Sequence, residues 1–158
     1  MKYPLIFKFK SAVPGENYLA GVMVQGRIVM TEQYGKWWAY GVCPGGLAES
    51  GDSPSEAYFN FKDAFWDIVK DIACEQKDYD SFVSSLNEFV QAKNEAEEKD
   101  WLGARQAIRD GKLQSGDPFS GLHHIIDDVS CNVSVQRLEE TKLTVNITAE
   151  DLLIAQVA

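Results

Sequence analysis

The stretch WWAYGVCPGGLAESGDSPSEAYFNF, residues 37–61, constrains the fold more tightly than any other part of the chain. Residues 36–43 read as a strand, with Trp38, Tyr40 and Val42 on one face and Trp37, Ala39, Gly41 and Cys43 on the other. Both faces carry apolar groups, so the sheet is expected to be covered at least in part on each side. Pro44-Gly45-Gly46 ends the strand, LAESG leaves room for a short extended return, and a helix starts at once. Ser53 caps that helix, and Pro54 suits its first position because a proline lacks the N–H that would go unpaired there. Glu56 completes an S-x-x-E capping box.

Ala57, Phe61, Ala64, Phe65, Ile68 and Ile72 recur at helical spacing and predict a wide apolar face packed on the sheet. A second stripe, Phe59, Trp66, Val69 and Ala73, predicts contact with another helix or a second subunit. Upstream, residues 3–9, 18–24 and 27–33 are strand-like. They are separated by VPGEN and by Gln25-Gly26, which predicts an antiparallel meander with a tight reversal at Gly26. Downstream, Phe82, Leu86, Phe89 and Val90 mark a second helix over 78–92. Trp101, Ala104 and Ile108 mark a short third helix closing at Gly111, with the charged residues 94–100 either its continuation or an exposed joint. Residues 111–121 are loop-like, and 131–138 with 143–147 read as a C-terminal β-hairpin.

The expected class is α+β, an antiparallel β-sheet packed by a long central helix, with an added helical segment and that hairpin. One domain over 1–158 divides into a sheet and helix core (1–76), a helical extension (77–121) and C-terminal strands and tail (122–158). Chain length, 45% apolar content and 25% charged content suit a single hydrophobic core.

The net charge of −9 is unevenly spread: residues 1–50 hold five basic and three acidic side chains, and residues 51–158 hold ten and twenty-one. Phosphate contacts need clustered Lys and Arg, so DNA binding is not expected of this chain alone, whereas a basic protein partner suits the acidic helical part. Cys43, Cys74 and Cys131 are far apart, odd in number and free of any C-x-x-C pair. They predict neither a disulfide framework nor a zinc site, and with that a reducing cytoplasm. The N-terminal apolar run is interrupted by Lys8 and Lys10, too short for a signal-peptide core or a membrane span. No membrane contact is therefore expected, nor glycosylation at Asn132 or Asn146.

The strand, the glycine break and SGDSPSEAY together resemble the HicB-like antitoxin family. Gly45-Gly46 stands where that family turns, Gly51-Asp52-Ser53 matches its Gly-Asp-Thr/Ser element, and Glu56-Ala57 matches the Glu-Ala pair that opens its helix. The likeness covers residues 27–75. Pro44-Gly45-Gly46 departs from it where a second proline is common, and compact members lack the stretch 77–121. The resemblance implies a non-enzymatic, oligomeric protein of a bacterial toxin–antitoxin system, neutralising a small basic mRNA-cleaving toxin of the HicA type by masking its active site. The tail KLTVNITAEDLLIAQVA is similar to the strand and first helix of a ribbon-helix-helix module, but stops before a second helix.

Asp63, Asp67 and Asp71 share one helical face, where neighbouring like charges cost a few tenths of a kcal/mol per pair. With Trp66 they are the expected partner-binding residues; the plainer reading is a solvated face relieved by Lys62 and Lys70. Lys36, Trp37, Trp38 and Tyr40 support the alternative of a single-stranded RNA-binding module that stacks bases on aromatic rings, with core packing as its plainer reading. A solitary HicB-like protein without a toxin is the third. His123 and His124 are adjacent and diverge, which disfavours a shared metal even with Asp127 and Asp128 nearby. Cys43 has no base close in sequence and reads as a small buried hydrophobe. No catalytic set, metal or cofactor is expected.

Overall fold

The computed structural model describes residues 1–112, 118–119 and 130–138. The first two strands form a long ribbon. β1 (Lys2–Pro14) pairs antiparallel with β2 (Leu19–Gln33) from Lys2↔Thr31 to Pro14↔Leu19. β3 (Lys36–Cys43) follows a Tyr34-Gly35 turn in which both residues have positive φ, as a tight hairpin requires. It pairs with the second half of β2, from Arg27 to Gln33, and β4 (Ala48–Gly51) adds to its outer side.

The expected reversal at Gln25-Gly26 does not occur: β2 runs through it unbroken for 15 residues. The reason lies far along the chain. A Cβ on Gly26 would sit 2.2 Å from the Cys43 carbonyl oxygen, so this glycine admits a close backbone neighbour inside the sheet. The β2/β3 register also shifts at this place, between Arg27 and Ile28.

α1 (Pro54–Glu75) lies on one face of the sheet, and its start follows the sequence signal closely. Ser53 Oγ accepts a hydrogen bond from the Glu56 amide at 3.1 Å, and Glu56 Oε2 accepts from the Asp52 amide at 2.7 Å. Ala57, Phe61, Phe65, Val69 and Ala73 are buried. They meet Leu5, Phe7 and Phe9 of β1 and Val22, Val24 and Ile28 of β2, with edge-on Phe7–Phe65 and Phe9–Phe65 contacts whose ring centroids are 4.9 Å apart.

α2 (Tyr79–Gln91), capped by Asp78, joins the same core through Phe82, Leu86 and Val90. It meets α1 where Phe65 stacks on Phe89, and of the second apolar stripe of α1, Val69 and Ala73 are enclosed in this core. Trp66 instead lies against Phe9, and Phe59 stays 45% exposed.

α3 (Glu95–Arg109) covers part of the opposite face, where Trp101 packs with Val29 and Val42. The charged residues 94–100 are its beginning, capped by Asn94, whose side chain accepts from the Glu97 amide. The sheet is thus covered on both faces, as the aromatic strand predicts. β5 (Asn132–Leu138) pairs antiparallel with the first half of β2, Leu19 to Gln25. The expected hairpin partner, 143–147, lies outside the described residues, as do His123, His124, Asp127 and Asp128. No described helix is long and apolar enough to cross a membrane.

One expectation is overturned. The chain joins Cys43 to Cys131 in a disulfide, with Cα atoms 6.3 Å apart, inside the span such bonds require. Spacing along the sequence, 88 residues, carried no sign of it because the contact is made by two strands that share β2. Cys43 is fully buried, but it is not merely a small hydrophobe. The cysteine argument for a reducing compartment falls with this pairing.

Candidate functional site

The outward face of α1 gathers the expected acidic residues. Phe59, Asp63, Asp67 and Asp71 follow at four-residue intervals, all exposed, so a large apolar ring stands at the head of a carboxylate row. α1 as a whole carries five acidic side chains against Lys62 and Lys70. Lys70 Nζ lies 2.9 Å from Asp67 and also over the Trp66 ring at 5.4 Å. Lys62 sits over the Tyr58 ring at 5.8 Å, and burial holds its ammonium below the usual lysine range. Trp66 is half-buried against Phe9, at the flank of the row. Sequence reasoning placed Phe59 in a stripe facing another helix or a second subunit; its position four residues before Asp63 was the available signal that it heads the acidic face.

The expected RNA platform is divided by the sheet. Trp37 packs into the main core beside Tyr3 and Phe119, with ring centroids 6.0 and 5.9 Å away. Trp38 and Tyr40 stack on each other across the opposite face, 5.7 Å apart and 12° from parallel. Lys36 lies 3.5 Å from Asp52. Adjacent aromatics on opposite faces cannot offer one continuous stacking surface.

The glycine break is held by the joint between α2 and α3. The Gly45 amide donates to the Ala92 carbonyl at 2.7 Å, and the Asn94 amide donates to the Val42 carbonyl at 3.0 Å. A Cβ on Gly45 would meet the Asn94 nitrogen at 2.2 Å, whereas one on Gly46 would meet nothing within 4 Å. The pair therefore divides into one glycine demanded by close approach and one on open surface. Gly51 is buried at the end of β4, Asp52 and Ser53 complete the cap, and Ala57 is wholly enclosed where the helix meets the sheet. A shallow, open depression of about 220 Å³ lies over the break, lined by Tyr40, Gly41, Gly45, Gly46, Leu47, Ala48 and Asn94. Its lining offers no carboxylate, imidazole or thiol.

A polar cluster that sequence reasoning missed lies where β2, β3, β5 and α3 meet. Arg27, 8% exposed, places its guanidinium 5.0 Å from the centre of the Trp101 ring and donates to Glu98 Oε1 at 2.7 Å. That hydrogen bond is the main reason the Glu98 carboxyl sits below the usual glutamate range. Nε of Arg27 lies 3.4 Å from Cys131 Sγ. Nearby, Lys2 pairs with Asp100, which raises its ammonium above the usual lysine range, and burial pushes the Glu97 carboxyl up. No group of three or more His, Cys, Asp or Glu side chains suited to a metal occurs among the described residues.

These surfaces belong to an α+β scaffold whose most distinctive exposed feature is an acidic, aromatic-headed helix face. No family model, curated protein or solved structure matches the chain.

Proposed function

We propose that the chain is a protein-binding module of the HicB-like antitoxin kind, a binder and not a catalyst, whose α1 face receives a small basic toxin of the HicA type and masks its active site. The observation that carries the reading is the exposed row Phe59, Asp63, Asp67 and Asp71. An exposed aromatic ring flanked by carboxylates supplies both parts of a recognition surface: an anchor to be desolvated, and charges that steer a cationic partner into register. The resemblance over residues 27–75 supplies the partner class. A cytoplasmic setting belongs to the same reading.

The test is association with a purified HicA-type toxin, followed by surface plasmon resonance across a salt series. Reversing Asp63, Asp67 and Asp71 to Lys is expected to cut the association rate by about tenfold or more at low salt, with the difference shrinking as the Debye length falls. Phe59→Ala is expected to act mainly on dissociation. Binding with unchanged rates in both variants would refute this use of α1, and absence of binding by the unaltered chain would refute the partner class.

A further inference from the structure

β2 has two neighbours on one side, placed end to end. β3 pairs with residues 27–33 and β5 with residues 19–25, so the two strands share one edge and meet near Arg27. The disulfide bridges that junction: Cys43 ends β3, and Cys131 immediately precedes β5. It ties the last described strand of the sheet to the body of the molecule.

The two sulfurs are unequal. Cys43 is fully buried, whereas Cys131 is partly open to solvent and carries the Arg27 guanidinium at 3.4 Å. That cation is itself fixed by Glu98 and by the Trp101 ring, so its place does not depend on Cys131, and a closing β5 brings the Cys131 sulfur up to it. A fixed positive charge favours thiolate over thiol, which makes Cys131 the sulfur through which exchange proceeds.

β5 is also the strand least able to hold itself in place. None of its residues is fully buried, in contrast to β1, β2 and β3, and Val133 and Val135 only border the core. Its side-chain ties to α2 are few: Tyr79 Oη donates to the Val135 carbonyl at 3.2 Å, the Arg137 guanidinium lies 5.7 Å from the centre of the Tyr79 ring, and Gln91 Nε2 donates to the Cys131 carbonyl at 3.5 Å. A strand with few buried contacts belongs to the low-stability end of a structure.

We propose that Cys43 and Cys131 form a reversible thiol–disulfide switch that fastens β5 to the sheet when oxidised and lets it open when reduced, with low-molecular-weight disulfides and thiols as the reactants. In closing, the Cys131 thiolate attacks one sulfur of a small disulfide RSSR, whose S–S bond breaks and releases RS⁻. The Cys43 thiolate then attacks Cys131 Sγ in the mixed disulfide and expels the second RS⁻. The two protons given up by the cysteines end on the two released thiolates, so the pair loses two electrons and RSSR becomes two RSH. Opening reverses these steps, with RS⁻ attacking Cys131 because Cys43 is enclosed. Opening leaves the Leu19–Gln25 edge of β2 unpaired on that side, a surface onto which another strand can add. The switch does not depend on what the α1 face binds.

The test equilibrates the full chain in mixtures of reduced and oxidised glutathione, then traps free thiols by alkylation and measures amide hydrogen exchange. Exposed Cys74 is alkylated in both states and serves as the internal control. The expected result is a single transition between one and three alkylated cysteines, with exchange at 132–138 about tenfold faster or more in the reduced form and α1 unchanged. Cys131→Ser is expected to reproduce the reduced pattern of exchange in both buffers. Arg27→Lys keeps the charge and is expected to keep the rate of closing, whereas Arg27→Gln slows it and moves its pH profile upward. Three alkylated cysteines in every mixture, equal exchange at β5 in the two states, or a Cys131→Ser variant that exchanges like the oxidised protein would each overturn the proposal.

Discussion

Trp101 decides whether the helical extension is part of the folding unit or an attachment to it. It is the one residue of α3 that is fully buried, and its Nε1 donates to the Leu5 carbonyl of β1 at 3.2 Å. Arg27 and Arg105 stand over its ring at 5.0 and 5.8 Å. Replacing a buried Trp by Ala costs about 3–5 kcal/mol through lost transfer energy and the cavity left behind. The lost hydrogen bond adds about 1 kcal/mol, and the two cation–π contacts about 0.5–1 kcal/mol each. These contributions overlap at one site, so about 4–5 kcal/mol is expected for Trp101→Ala, a large share of the roughly 5–15 kcal/mol that holds a domain together. Trp101→Phe keeps most of the packed volume and gives up the indole N–H, for about 1–2 kcal/mol. In urea unfolding followed by far-UV circular dichroism, a 4 kcal/mol loss over a slope of about 2 kcal/mol/M lowers the midpoint by about 2 M. An Ala variant within about 1 kcal/mol of the parent, or a parent in which α3 melts in a separate earlier transition, would refute the view that 95–109 completes the core.

Two further outcomes follow from local geometry. Gly45→Ala forces a methyl into the backbone of Lys93 and Asn94 and is expected to cost about 1–3 kcal/mol, whereas Gly46→Ala, on open surface, stays within about 0.5 kcal/mol; equal midpoints for the two in thermal unfolding would contradict the docking of the break on the α2–α3 joint. Glu98 has its folded carboxyl held below the ordinary glutamate range by Arg27, so its contribution is full above that range and is lost as pH falls through the lower folded value. Stability curves of the parent and Glu98→Gln, measured from about pH 7 down to about pH 3, are expected to converge at the acid end, and a gap that does not narrow would remove the Arg27–Glu98 pair as its cause.

What could be read in advance was what is encoded within a few residues. Ser53, Pro54 and Glu56 determine the start of α1 through amides one helical turn away, and the spacing of Ala57, Phe61 and Phe65 already contains the face that the sheet receives, whereas Val69 and Ala73, expected in a separate stripe, are buried with them. Asn94 and Glu97 carry a similar local cap signal that resolves residues 94–100 as helix. What escaped prediction is caused from a distance. Gly26 has the composition of a turn but is explained by the Cys43 carbonyl, and Cys131 is 88 residues from its partner. The acidic row was legible because a helix repeats regularly; the Arg27 cluster was not, because β2, β3, β5 and α3 bring it together only once the sheet is built.

Arg27 also determines how the two surfaces of the molecule can communicate. Its guanidinium serves α3 through Glu98 and Trp101, on the side of the sheet away from α1, and serves β5 through Cys131. The cation paired with the acidic row is Lys70, on Asp67, whereas the one beside the disulfide is Arg27. An effect of the redox state on partner binding can pass through packing. The available route is Val133 and Val135 of β5, which border the core that α1 and α2 share, and the Tyr79 hydroxyl that reaches the Val135 carbonyl. Loss of those contacts loosens α2 first, and α1 through the core the two helices share, where Phe65 stacks on Phe89. Salt dependence should therefore report the acidic face, while hydrogen exchange at β5 and α2 reports the switch.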